Sequence, residues 1–299
     1  MHDGWADDKV VLVTGAARGI GAMTARRLHA RGAKLALVGL EPDRLCALAD
    51  ELGHERAAWF EADVTRVPAL QDAVEGAVGR FGRIDVAVAN AGVHYVGAFE
   101  KTPLNVLERE LEINLLGVLR TDHAVLPHLL SSRGYLLNVA SLAAASHAPL
   151  MTSYAASKAG VEGLSNSLRG ELVTRGVSVG CAYFGFIDTD MVRDAFAHPS
   201  TTAMLPLLPK FVRRPVPVDR AVDAIERGIR DRRARVWAPR YVGLALASRG
   251  WLQPLTEARV ARSGRVDQAL AMIEAPAAAD ETMAADETVP ADETLAGRV

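Results

Sequence analysis

The chain has 299 residues, 49% of them hydrophobic and 23% charged, with a formal net charge of −2. That length fits one large α/β domain or two small ones, and the apolar fraction is enough for a sizeable core. The near-neutral charge gives no electrostatic case for nucleic acid, and no apolar run approaches the ~20 residues of a membrane span. Residues 1–9 are polar and acidic, without the pattern of a signal peptide. Cys46 and Cys181 stand far apart in apolar stretches and read as buried free thiols of a reducing compartment, so a cytoplasmic setting is expected. The eight histidines show no metal-ligand spacing, and no metal is expected.

In chain order, residues 10–13 form a continuous apolar run, the pattern of a parallel strand covered on both faces. The run breaks at Gly15, Gly19 and Gly21 and passes into a helical pattern ending near Gly32. A strand, a glycine-rich turn and a helix make a phosphate-cradling start. Strand and helix then alternate: strands over 35–38, 57–61 and 84–89, helices over 42–52 and 67–81. One long helix is predicted over 103–130 with Asn114 on it, then a strand over 135–139 ending at Ser141. A helix from Tyr154 to about Arg175 and a strand over 177–182 follow. This predicts a Rossmann-type, doubly wound parallel sheet in one domain over about 1–260, with ligands at the carboxyl ends of its strands. Gly15, Asp63, Asn90, Ser141 and Gly185 each fall just past a strand and should line one crevice.

Beyond Gly185 the segment 189–217 mixes large apolar residues with prolines and reads as a mobile cover over a pocket. Helices over 218–229 and 241–255 flank a short strand at 235–238. The cluster Arg227, Arg230, Arg232, Arg233 and Arg235 reads as a solvated helix end. From 274 on, Ala-Asp-Glu-Thr recurs with a period of six among seven acids and one Arg, the composition of a disordered acidic tail.

Tyr154 and Lys158, four apart, share one helix face. An ammonium beside a phenol favours the phenolate, so a lowered Tyr154 pKa and a role in proton exchange are expected. Thr14-Gly15-x-x-x-Gly19-x-Gly21, Asn90-Ala91-Gly92, Asn114, Ser141 and Tyr154-x-x-x-Lys158 together resemble the short-chain dehydrogenase/reductases, over roughly residues 7–240. The resemblance implies a nicotinamide cofactor, NAD(P), and hydride transfer between an alcohol and a carbonyl. It also implies a small-molecule substrate and a homo-oligomer, dimer or tetramer. The catalytic set it implies is Asn114, Ser141, Tyr154 and Lys158. Tyr154 exchanges the proton, Ser141 orients the substrate oxygen, Lys158 holds the nicotinamide ribose, and Asn114 anchors a water. It assigns the cofactor to Gly15, Arg18, Gly19, Ile20, Gly21, Glu41, Asp63, Val64, Asn90, Ala91, Gly92, Tyr154, Lys158, Ile187 and Thr189.

Two departures bear on specificity. Phe184 precedes Gly185 where the family often has proline, and its ring is expected at the nicotinamide wall or in the pocket. Glu41 stands where an Asp usually receives the ribose 2′-hydroxyl, which leans to NAD, while Arg18 and Arg44 offer partners for a 2′-phosphate. His94 and His147 fall beside the expected pocket. The residues around Ser141 and before Tyr154 are apolar, which suits a hydrophobic alcohol or ketone; the rival is a polyol met by Arg193 or Lys210. A non-catalytic nucleotide sensor on the same fold is the alternative to an enzyme.

Overall fold

Val10–Thr14 carries no polar interruption and is buried along its whole length, so β1 has to lie inside a sheet covered on both faces. The computed structural model describes residues 4–273, and the expected acidic tail lies outside them. Around β1 run β2 (Lys34–Gly39), β3 (Ala57–Glu61), β4 (Val86–Ala89), β5 (Tyr135–Val139), β6 (Ser178–Phe184) and β7 (Arg235–Ala238). They form one parallel sheet in the order β3-β2-β1-β4-β5-β6-β7. The order reverses between β1 and β4, which opens a crevice at their carboxyl ends.

Alternate side chains of each strand feed two cores. Val11, Val13, Leu35 and Leu37 meet α1 (Gly19–Ala30), α2 (Pro42–Leu52) and α9 (Asp219–Arg230) on one face. Leu12, Ala36 and Val38 meet α3 (Val67–Phe81), α5 (Gly117–Ser132) and α6 (Thr152–Leu172) on the other. Cys181 is buried as expected, whereas Cys46, on α2, is only half-buried; both are free. Between β5 and the helices α5 and α6 lies a buried polar trio that no local pattern announces. Asn138 Nδ2 donates to Asp122 Oδ2 at 2.7 Å and to Ser165 Oγ at 3.2 Å, while Asp122 Oδ1 and Asn138 Oδ1 have no partner among the described residues. Burial pushes the Asp122 carboxyl up to about 8, against the Asn138 hydrogen bond, so the group holds its proton through neutral pH.

Three elements depart from expectation. The long helix over 103–130 is α4 (Leu104–Leu111), a π-helical turn at Glu112–Leu116, then α5. The loose segment after β6 holds α7 (Asp190–Ala197) and α8 (Pro199–Met204), tied back by a parallel bridge from Ile187 to Val216. The last helix, α10, runs over Arg240–Ala261 through Pro254, and a further helix, α11 (Arg265–Ala271), follows it. Ala269 and Ile273 pack against Ala98 and Leu150, and Lys101 Nζ donates to the carbonyls of Leu270 and Ile273. No helix among the described residues is long and apolar enough to cross a membrane.

Candidate active site

In the turn after β1, Gly15 and Gly19 take φ of +63° and +56°, the left-handed region that costs a side chain. A Cβ on Gly15 would stand 2.9 Å from the Ala91 backbone, and one on Gly21 would collide with the Gly15 carbonyl. Asn90 fastens the turn to the end of β4. Its N–H donates to Thr14 Oγ1 at 3.0 Å, and its Nδ2 donates to the carbonyls of Thr14 and Gly15. The Ala91 N–H shares Thr14 Oγ1. Arg18 caps α1 in extended conformation without a side-chain bond, so the first N–H groups of α1 are left for an anion. Across from Gly19 stands the Thr189 methyl, 3.6 Å from where a Cβ would be; Ile20 packs on the core below. This cradle fits the pyrophosphate of a dinucleotide.

At the β2 side, Glu41 lies between two cations, with Arg18 Nε at 3.4 Å and Arg44 Nη1 at 3.9 Å. Asp63 follows β3 and accepts from the Thr65 N–H at 2.8 Å and from Arg109 Nη2 at 3.1 Å. Burial works to raise its pKa, but the Thr65 and Arg109 contacts outweigh it and hold the carboxyl below its ordinary value. Val64 is buried and closes against Gly117, where a Cβ would stand 2.6 Å from its methyl.

The other end of the crevice gathers residues from five elements. The π-helical turn aims Asn114 inward, fully buried, and both ends of its amide are taken by Val93: Oδ1 accepts from the N–H and Nδ2 donates to the carbonyl, each at 2.8 Å. Gly92 is pressed close, 3.0 Å from Asn114 Oδ1 and 3.5 Å from Lys158 Nζ to the place of its missing Cβ. Lys158, 4% exposed, donates to the Val139 carbonyl at 3.0 Å. Ser141 ends β5 and caps a short 3₁₀ turn through the Ala143 N–H, and its Oγ is 3.5 Å from the Phe184 carbonyl. Its hydroxyl is also near enough to the Tyr154 phenol to pull that group's pKa down. Ile187 is buried behind Thr189, whose Oγ1 reaches the Ile187 carbonyl at 3.4 Å.

The protonation pattern differs from the expected one. Burial pushes the Tyr154 phenol above its ordinary value; the Ser141 hydroxyl pulls it down, and the Glu110 charge adds to the rise. Lys158 sends its ammonium to Val139 and is itself brought down by burial to about 8, against the pull of Cys181 and Glu110. A buried ammonium already satisfied by a carbonyl does not offset the desolvation of the neighbouring phenol, so Tyr154 is a protonated phenol in the unliganded site.

Phe184 is not in the pocket: its ring is 5% exposed and belongs to the β1 core. The ring that turns outward is Phe186, edge-on to Phe196 at 4.8 Å, and Phe211 stands similarly on Tyr241 at 5.6 Å. His147 is exposed, with Gln253 Nε2 3.3 Å from its Nδ1. His94 lies inside, its ring centroid 4.4 Å from that of Tyr154. Sequence reasoning missed Glu110, 2% exposed, which accepts from the Tyr95 N–H at 2.9 Å and from Ser153 Oγ. An acid on a helix ordinarily faces water, and its partners are remote in sequence. No cluster of metal-ligating side chains occurs among the described residues.

This geometry has relatives. The short chain dehydrogenase family model matches residues 9–200. The D-threitol dehydrogenase of Mycolicibacterium smegmatis is 37% identical over 206 residues, covering 68% of this chain and 79% of that protein. Nodulation protein G of Rhizobium meliloti is 35% identical over 199 residues, 66% of this chain and 80% of that one. The crystal structure of a glucose/ribitol dehydrogenase of the same family from Brucella melitensis superposes with a TM-score of 0.68 at 29% identity. It covers 75% of this chain and 89% of its own. Fold, glycine turn and the Ser141–Tyr154–Lys158 corner thus agree with the match along most of the sheet: the chain belongs to the short-chain dehydrogenase/reductase family of oxidoreductases.

Proposed function

We propose that the protein moves hydride between a nicotinamide cofactor and a secondary alcohol or its ketone. The observation that carries this reading is the meeting of Ser141, Tyr154 and Lys158 at one corner behind Gly92. The nicotinamide supplies or accepts the hydride. Tyr154 gives its phenolic proton to the substrate oxygen in reduction and takes one back in oxidation, and Ser141 holds that oxygen in line. A phenol kept protonated by burial is poised as the donor. Lys158, its Nζ beside Gly92, receives the ribose hydroxyls; an ammonium near 8 passes a proton readily around neutral pH. The Asn114 amide is spent on fixing Val93 and is not free to anchor the water of the proton path.

NAD is the cofactor this reading favours, because Glu41 faces the ribose with a charge that repels a 2′-phosphate. The pocket suits a substrate with an apolar body. Phe186 and Phe196 stack edge-on after β6, Leu150 and Met204 belong to the apolar cluster with Ala269 and Ile273, and Arg193 is engaged by Asp188 (2.8 Å) and Asp190 (3.1 Å), which supports that choice. The name of the D-threitol relative supports the competing choice, a polyol. A cytoplasmic setting and a homo-oligomer belong to the same reading.

The experiment is kcat/KM over secondary alcohols of increasing chain length and over short polyols, each with NAD and NADP. A rise with chain length supports the apolar pocket; a flat series with faster polyols assigns the polyol class instead. Cofactor binding with no hydride transfer to any substrate would leave a nucleotide sensor.

A further inference from the structure

Glu110 is a carboxylate buried in the wall of the reaction corner, and nothing in the proton exchange above requires it. On α4 only it and Leu107 are buried, so the helix spends one of its two core positions on a charge. Two donors fix its oxygens: the Tyr95 N–H on Oε1 and the Ser153 hydroxyl on Oε2. His94 Nδ1 lies 3.5 Å from the same Oε1 and, though buried, makes no hydrogen bond among the described residues. The imidazole is thereby held between a fixed carboxylate and the Tyr154 ring, tilted 56° to it at 4.4 Å. A carboxylate facing Nδ1 selects the tautomer with the proton on that nitrogen. In that tautomer Nε2 is an acceptor; it has no partner among the described residues and is not fully buried.

Resting on the hydride-transfer reading above, we propose that His94, positioned by Glu110, is a specificity-determining residue. Its Nε2 accepts a hydrogen bond from a second hydroxyl of the substrate, close in the molecule to the carbon that reacts at Tyr154. The substrate class is therefore a diol, or the hydroxy-ketone it becomes, at the head of whatever body the pocket takes. A lone alcohol of the same shape leaves Nε2 facing carbon, and a site built around a buried polar pair rejects a ligand that leaves it unpaired.

Matched pairs test this: cyclohexane-1,2-diol against cyclohexanol, and 1-phenylethane-1,2-diol against 1-phenylethanol. The wild type should prefer the diol of each pair at least tenfold in kcat/KM. His94→Ala should bring that ratio to within about threefold. His94→Gln, whose amide oxygen reaches the place of Nε2, should restore most of it, a rescue that a merely structural role does not produce. Glu110→Gln, which frees the tautomer, should lower the ratio with the ring still present. Direct titration of the same pairs into cofactor-saturated protein gives a readout that needs no turnover. Equal affinity within pairs for the wild type, or a preference that His94→Ala leaves intact, overturns the proposal. Selective diol binding without any hydride transfer supports the His94 assignment and overturns the reaction instead.

Discussion

Lys158 donates to the carbonyl of Val139 at 3.0 Å, and its ammonium lies 5.7 Å from the centre of the Tyr154 ring. The pair therefore shares a helix face without forming the ammonium–phenol contact that its spacing suggests. Burial governs the phenol, and its ionisation in the unliganded protein should come above about 10. Phenolate absorbance that appears in the wild type and is missing in Tyr154→Phe measures it. Saturation with oxidised cofactor brings a cationic ring to the site and should move that midpoint down. A midpoint below the ordinary tyrosine value without cofactor would contradict this account.

The same burial makes Lys158 a source of instability. Its pKa is near 8 in the folded protein and 10.5 in the ordinary side chain, so between those values the unfolded chain binds more protons. The contribution of this group to stability thus rises with pH across that window, and below it the buried charge is a standing cost. Lys158→Met should raise the melting temperature at pH 7 by roughly 2–4 °C for each kcal/mol relieved, and abolish turnover. Calorimetry at pH 7 and pH 9 should show the gap to the wild type narrowing at the higher pH.

Tyr154→Phe should lower kcat by about 10²–10⁴-fold while leaving the cofactor dissociation constant within a few-fold, since only the proton exchange is lost. Lys158→Ala should weaken both, because the proposed mechanism has Lys158, whose Nζ borders Gly92, hold the ribose as well. A Tyr154→Phe enzyme retaining more than about a tenth of its activity would remove Tyr154 from the reaction.

Glu41→Gln should shift cofactor choice toward NADP. The substitution removes the charge that opposes a 2′-phosphate and releases Arg18 and Arg44 from their ion pairs. Titration of both cofactors into wild type and variant checks it; tighter NADP binding by the wild type would reverse the assignment.

Asp122 offers a pH-dependent stability measurement away from the crevice. Its folded pKa of about 8 lies above the ordinary 3.8, so the folded protein binds more protons between those values and loses stability as pH rises through them. Asp122→Asn keeps an acceptor for Asn138 Nδ2 and cannot ionise. Its melting temperature should pull ahead of the wild type progressively from about pH 4 to pH 8. Parallel curves would show that Asp122 does not titrate in this range.

The strands were legible because each is a short apolar run bounded by turn residues, and the site because its parts fall just past them. Gly15, Asp63, Asn90, Ser141 and Gly185 need no knowledge of packing to be expected on one rim. The features that escaped depend on partners far along the chain. The π-helical turn at Glu112–Leu116 has no local sequence signal and reads as ordinary helix. Glu110 reads as a solvent-facing acid until Ser153, on another helix, is seen beside it. Phe184 reads as a residue of the nicotinamide wall or the pocket because it stands where the family often has proline, yet the alternation of β6 turns its ring to the core. Helix α11 has seven residues, too few for periodicity to register, and Gly264 at φ +60° separates it from α10.

The docking of α11 has a practical consequence for anyone handling the protein. Lys101 pins the carbonyls of Leu270 and Ile273 to the loop that also carries His94, so the carboxyl side of the described chain leaves from the substrate rim. The amino side arrives at the opposite edge, where the Asp8 N–H bonds the Gly32 carbonyl below the start of β1. A purification handle or fluorescent fusion joined directly after Ile273 would crowd the approach of substrate. The same handle at the amino end would hang from the far side of the sheet and leave kinetic measurements undisturbed.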